Sequence, residues 1–123
     1  KLIKFFSENY QTLMDFGNRD WDNATNYAAP TEYDDDDKFI NIYNKTRGDR
    51  YHAVNVWPNA TVEIRLFNTT YRPEVIRSYI QFVDVITDLA NGFYQDMTFD
   101  NVRKEATERG YNELVNYMNE QDI

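Results

Sequence analysis

The chain has 123 residues, 41% hydrophobic and 16% aromatic, with a formal net charge of −8 and no cysteine. That is one domain's worth of globular chain, long enough to bury a core without disulfides or a structural metal. The acidic balance argues against nucleic acid and against anionic membrane surfaces, which attract clustered Lys and Arg. The lack of cysteine excludes a thiol nucleophile, a disulfide framework and a cysteine zinc site, and agrees with a cytoplasmic protein.

No apolar run reaches transmembrane length, and the N-terminus lacks the core of a signal peptide. The sequence starts at Lys1, already inside an amphipathic pattern, so 1–123 reads as a single domain cut from a longer protein. Leu2, Ile3, Phe6, Tyr10, Leu13 and Met14 recur at three- and four-residue spacing, which predicts a helix over 2–16. Gly17-Asn18 is its stop signal. Arg19, in the turn that follows, reads by itself as a solvated residue pairing with a nearby Asp.

Residues 23–49 read as a flexible acidic loop. The run Asp34-Asp35-Asp36-Asp37-Lys38 belongs in solvent, since adjacent like charges repel and consecutive side chains do not converge on one ion. Asn-X-Thr triplets at Asn23, Asn44, Asn59 and Asn68, with Arg47-Gly48-Asp49, would suit a cell-surface module. Nothing that directs secretion accompanies them.

Two alternating runs, 51–57 and 61–67, flank Pro58-Asn59-Ala60 and predict a β-hairpin. Thr61, Glu63 and Arg65 share one face of the second arm; Val62, Ile64 and Leu66 share the other. The turn position brings Asn55 close to Glu63. Glu63 and Arg65 by themselves read as a surface ion pair, and the lone His52 as a structural hydrogen-bonding residue.

Pro73 and Glu74 open a helix of about 19 residues, closed by Asn91-Gly92, with Val75, Ile76, Tyr79, Ile80, Val83, Ile86, Leu89 and Ala90 as its apolar stripe. This helix is expected to pack across the sheet. Thr98 or Asp100 caps a further helix ending at Arg109-Gly110, and a last one runs from Tyr111 to about Glu120. The fold class is therefore α+β: a small antiparallel sheet packed by a long helix, with an N-terminal helix and two short C-terminal ones.

No P-loop, Gly-rich dinucleotide turn or zinc helix motif is present. Instead, Arg50-Tyr51-His52-Ala53-Val54-Asn55-Val56, a turn, Thr61-Val62-Glu63-Ile64-Arg65-Leu66-Phe67 and the long helix resemble the C-terminal half of the amidoligases. These phage and low-GC bacterial proteins belong to the carboxylate-amine ligase superfamily with glutamine synthetase and glutamate-cysteine ligase. The first helix with its Gly17-Asn18-Arg19 turn and the ending around Arg109-Gly110-Tyr111 are also similar, so the resemblance spans nearly the whole chain.

It implies ATP-dependent amide formation between a small-molecule or peptide carboxylate and an amine, through an acyl phosphate. Glu63 takes the place of a magnesium ligand and Arg65 that of the catalytic, phosphate-binding arginine. Arg19 and His52 stand at further cofactor-binding positions. Where the family continues Arg-Gly-Thr-Leu, this chain has Asn68-Thr69-Thr70-Tyr71. A single acid does not hold two magnesium ions and ATP, so this piece is expected to be silent alone. A non-catalytic interaction domain derived from the same fold is the alternative, and an exposed sheet edge would favour a homo-oligomer.

Overall fold

The structure is a computed structural model describing residues 1–20, 22, 26, 28–31, 44, 51–56, 61–92 and 96–123. The acidic run 34–38, the Arg-Gly-Asp tripeptide and the hairpin turn at 58–60 lie outside the described residues. The elements are α1 (Leu2–Glu8), α2 (Tyr10–Phe16), β1 (Val54–Asn55), β2 (Glu63–Ile64), α3 (Pro73–Asn91), α4 (Phe99–Glu108) and α5 (Asn112–Glu120). The architecture is α+β, and the described residues include a two-stranded antiparallel sheet. The described chain divides into two compact units, Lys1–Phe5 with Asn68–Ile123, and Phe6–Phe67.

In the first unit, α3, α4 and α5 pack pairwise. Pro73 sits at the start of α3, where its missing N–H costs no hydrogen bond. Val75, Ser78, Tyr79, Phe82, Val85, Ile86 and Leu89 are the buried residues of α3. This stripe is rotated from the expected one. Phe82 and Val85 are fully buried, whereas Ile76 and Ile80 are 45% and 65% exposed. Positions 75, 78, 82, 85 and 89 repeat at three and four residues and present one ridge to a neighbouring helix. Ser78 enters that ridge because its hydroxyl donates to the Val75 carbonyl at 2.7 Å, leaving no unpaired group.

Val102 and Ala106 of α4, and Leu114, Tyr117 and Met118 of α5, are the matching buried faces. Phe99 begins α4 between two buried rings, with its centroid 5.3 Å from Phe5 and 6.3 Å from Phe82. Tyr79 meets Tyr117 edge-on at 5.8 Å. Thr98 caps α4, accepting from the Asn101 N–H at 3.2 Å. The helix closes through Gly110, whose φ of +71° suits glycine, with the Tyr111 N–H donating to the Ala106 carbonyl. Asp122 ends α5 in the same way, at φ +56° with Ile123 bonded back to Met118.

In the second unit the expected helix over 2–16 is interrupted at Asn9, at φ −113° and ψ 22°. Asn favours such breaks because its short amide competes for nearby backbone groups. Leu13, Met14 and Phe16 are buried, as are Ala28, Ala53, Val54 and Leu66. The strand pairing matches Val54 with Ile64 and Asn55 with Glu63. The apolar face of the second arm is only partly used: Leu66 is inside, Ile64 is half-buried and Val62 is exposed.

Residues 28–31, expected as loop, supply another pairing. Ala29 bridges His52 in parallel, donating to the Tyr51 carbonyl at 2.7 Å and accepting from the Ala53 N–H at 2.8 Å. The Ala53 carbonyl accepts from the Arg65 N–H at 2.9 Å, so the chain changes neighbours at this bend. Tyr10 donates to the Ala28 carbonyl at 2.9 Å and Ser7 to the Thr31 carbonyl at 2.7 Å, tying the helices to the same segment. Burial raises the Tyr10 phenol above its ordinary pKa, against the opposing charge of Arg19, and keeps it a neutral donor.

At the surface of the first unit, Arg72 grips Glu120 with two nitrogens, at 2.6 and 3.0 Å, and Glu74 with a third at 2.8 Å. The arginine hydrogen bonds hold both carboxyls below their ordinary pKa of 4.5. A lowered folded-state pKa stabilises above the unfolded value, and that contribution is lost as pH falls through the folded value. Removing Arg72 should therefore lower the thermal midpoint at neutral pH, with the deficit closing below about pH 4 as the carboxylates protonate. Melting Arg72→Ala beside the unaltered chain across this range checks it; a deficit that does not change with pH would show that the ion pairs contribute nothing.

Candidate functional site

The candidate site begins with a helix ending. Asn18 adopts φ +52°, the Arg19 N–H donates to the Met14 carbonyl at 3.0 Å, and the Asn18 N–H donates to Asp15 at 3.1 Å. This double closure needs a left-handed residue after the cap, and Asn fills that role here. Gly17 itself stays right-handed, at φ −75°, and is needed for space. A Cβ there would lie 2.7 Å from the Leu66 carbonyl oxygen and 3.0 Å from the Leu66 Cγ.

The turn delivers Arg19 to the backbone that leaves β2. Its Nε donates to the Leu66 carbonyl at 2.7 Å and its Nη2 to the Arg65 carbonyl at 2.9 Å. The Phe67 carbonyl stands 3.5 Å from the same Nη2. The solvated reading of Arg19 is thereby corrected, because its guanidinium faces carbonyl oxygens. Charge-assisted hydrogen bonds of this kind are worth roughly 1.5–3 kcal/mol each. Phe16 and Phe67 meet edge-on at 6.4 Å beside this junction.

The strand carries the polar face. Glu63 in β2 and Arg65 just past its end, two residues apart, project from the same side of the extended chain. Arg65 Nε lies 3.1 Å from Glu63 Oε1, with side chains 30% and 43% exposed. Across the ladder Asn55, only 6% exposed, donates through Nδ2 to Glu63 Oε2 at 3.3 Å. The two oxygens of one carboxylate are thus engaged by a buried amide and a half-buried guanidinium. The His52 Nδ1 lies 3.3 Å from the hydroxyl of Thr31, itself buried.

The structure therefore brings together Asn55, Glu63 and Arg65, holds Arg19 against the carbonyls that follow them, and sets His52 beside Thr31. Thr31 went unnoticed in sequence because it lies in an aperiodic stretch, and only the pairing of Ala29 with His52 brings it in.

The arrangement suits an anion better than a metal. A guanidinium oriented through its Nε and partly open to solvent matches the geometry of phosphate or carboxylate oxygens. One carboxylate with both oxygens engaged does not by itself hold magnesium. Among the described residues no group of three His, Asp or Glu side chains converges on a metal position. Among them, too, no helix is long and apolar enough to cross a membrane. Comparison with models of protein families, with curated proteins and with solved structures finds no match to this chain.

The close approach at Gly17 generates a stability test with an internal control. Gly17→Ala should destabilise the chain by about 1–3 kcal/mol, because Leu66 backbone cannot yield as a flexible side chain would. Gly92→Ala should be near neutral, since a Cβ there meets its nearest atoms at an ordinary 3.5 Å. Urea unfolding of both variants measures the difference. Equal midpoints would mean that the Gly17 contact relaxes without cost.

Proposed function

We propose that this chain is the C-terminal part of an ATP-dependent carboxylate-amine ligase of the amidoligase type. It would join a small-molecule or peptide carboxylate to an amine. The observation that supports the reading is the Glu63–Arg65 ion pair at the end of β2, met by Asn55 across the ladder. It lies on the two strands whose sequence most resembles that family.

In such a reaction ATP supplies the phosphoryl group that turns a carboxylate into an acyl phosphate. The amine nitrogen then forms the new C–N bond as the C–O bond to phosphate breaks. Negative charge gathers on the phosphoryl oxygens throughout. Arg65 is the residue suited to neutralise it, because a planar guanidinium donates two parallel hydrogen bonds to such oxygens. Glu63 orients that guanidinium through Nε, and Asn55 orients Glu63. The magnesium position that the resemblance gives to Glu63 needs carboxylates from outside the described residues. His52, whose Nδ1 lies 3.3 Å from the Thr31 hydroxyl, keeps the cofactor-binding position that the resemblance gives it. A cytoplasmic location, where ATP is found, goes with the reading.

One observation favours a second reading, a non-catalytic interaction domain built on the same fold. Both Glu63 oxygens and two of the Arg19 donor nitrogens are satisfied within the chain, as in a structural polar network. Release of phosphate from ATP by the whole protein, with mixed carboxylic acids and amines supplied, separates the two. Arg65→Ala should lower turnover by ~100-fold or more, and Glu63→Ala by a comparable factor. Turnover that neither substitution changes would eliminate the ligase reading and leave the interaction domain.

A further inference from the structure

Resting on the ligase reading, we infer that Arg19 is a positioning residue that works through Arg65 rather than a residue that binds nucleotide. Its guanidinium is turned onto protein backbone. Nε donates to the Leu66 carbonyl at 2.7 Å, and Nη2 donates to the Arg65 carbonyl at 2.9 Å, with the Phe67 carbonyl at 3.5 Å. Those carbonyls belong to residues beyond the end of β2, where the described ladder has stopped. Arg19 stands where a further strand would present its N–H groups.

Arg65 is consequently held at both ends of its own residue. Its N–H is bonded to the Ala53 carbonyl at 2.9 Å, and its carbonyl to Arg19. With the peptide units fixed on either side, the direction of the Cα–Cβ bond is fixed, and the ion pair to Glu63 then sets the guanidinium. The aim of Arg19 is built in the same way. Asn18 supplies the left-handed turn, the Arg19 N–H is anchored to Met14, and Gly17 admits the Leu66 backbone without a Cβ between them. A lysine at position 19 would bring one charged point in place of a planar fork, and does not reproduce two divergent bonds to successive carbonyls.

A double-mutant cycle on ATP turnover by the whole protein tests this, using Arg19→Ala, Arg65→Ala, the double variant and Arg19→Lys. Hydrogen exchange at the Arg65 amide is followed on the same proteins, with the amides of α3 as control. Arg19→Ala should lower kcat about tenfold or more with little change in the KM for ATP, and Arg19→Lys should not restore it. In the Arg65→Ala background the same substitution should have almost no further effect. Exchange at Arg65 should quicken while α3 keeps its protection.

Losses that multiply in the double variant, or a raised KM with unchanged exchange at Arg65, would assign Arg19 to the nucleotide and overturn the inference. Exchange that quickens equally in α3 would reduce Arg19 to a general stabiliser and overturn it too. Undiminished turnover in Arg65→Ala is a distinct result: it removes the ligase reading, and the positioning role with it.

Discussion

The contact between the Gly17-Asn18-Arg19 turn and the backbone at 65–67 is the constraint on which the candidate site depends. Three consecutive residues each contribute a different physical property to it. Glycine contributes the absence of a side chain, asparagine tolerance of a positive φ, and arginine a planar set of donors. Without the first the chains cannot approach, without the second the turn is strained, and without the third two carbonyls lose their donors. Among the described residues the ladder of β1 and β2 has two residue pairs, too few to hold itself together in water. Its rigidity must come from neighbours, and Arg19 is one of them.

The other unit is held by different means. Its three helices bury one face each, and transfer of each large side chain from water is worth roughly 1.5–3 kcal/mol. Two polar groups that enter this packing are satisfied locally, Ser78 by the Val75 carbonyl and the α5 start by Gln81, whose side chain accepts from the Leu114 N–H at 2.9 Å. Around the rim, Arg109 reaches Asp84, Asp88 and Glu105, and Arg72 reaches Glu74 and Glu120. Such surface pairs each contribute a small amount of stability.

The polar face of β2 can be understood without assuming a ligand, which is why its chemistry has to be argued through Arg65. Asn55 is buried and needs an acceptor; Glu63 provides one and remains partly in water; Arg65 balances the charge. A carboxylate held by a buried amide in turn holds the guanidinium paired with it in a defined orientation. The same partners serve a structural network and a site that receives an anion, and the difference lies in what arrives at the guanidinium.

How much was legible from residues alone follows from the range of each signal. Helix starts and stops are short-range physics: Pro73, the Thr98 cap, Gly110 and the end near Glu120 were all readable because each acts on its own turn. The register that pairs Asn55 with Glu63 was readable for the same reason, being set by the length of one connection. The α3 stripe was read with the wrong rotation, since Ile76 and Ile80 are as apolar as Phe82 and Val85 and only the packing against α4 and α5 chooses between them. The break at Asn9 was not read, since an Asn within a helical pattern is a weak local signal; the pairing of Ala29 with His52 was not legible, because it joins residues far apart along the chain. Arg19 shows the division most clearly. The sequence by itself determined that a turn ends the helix with an arginine upon it. Only the tertiary structure decided that this arginine meets carbonyls 46 and 47 residues away, because a charged side chain in sequence carries no record of which acceptors folding will bring to it.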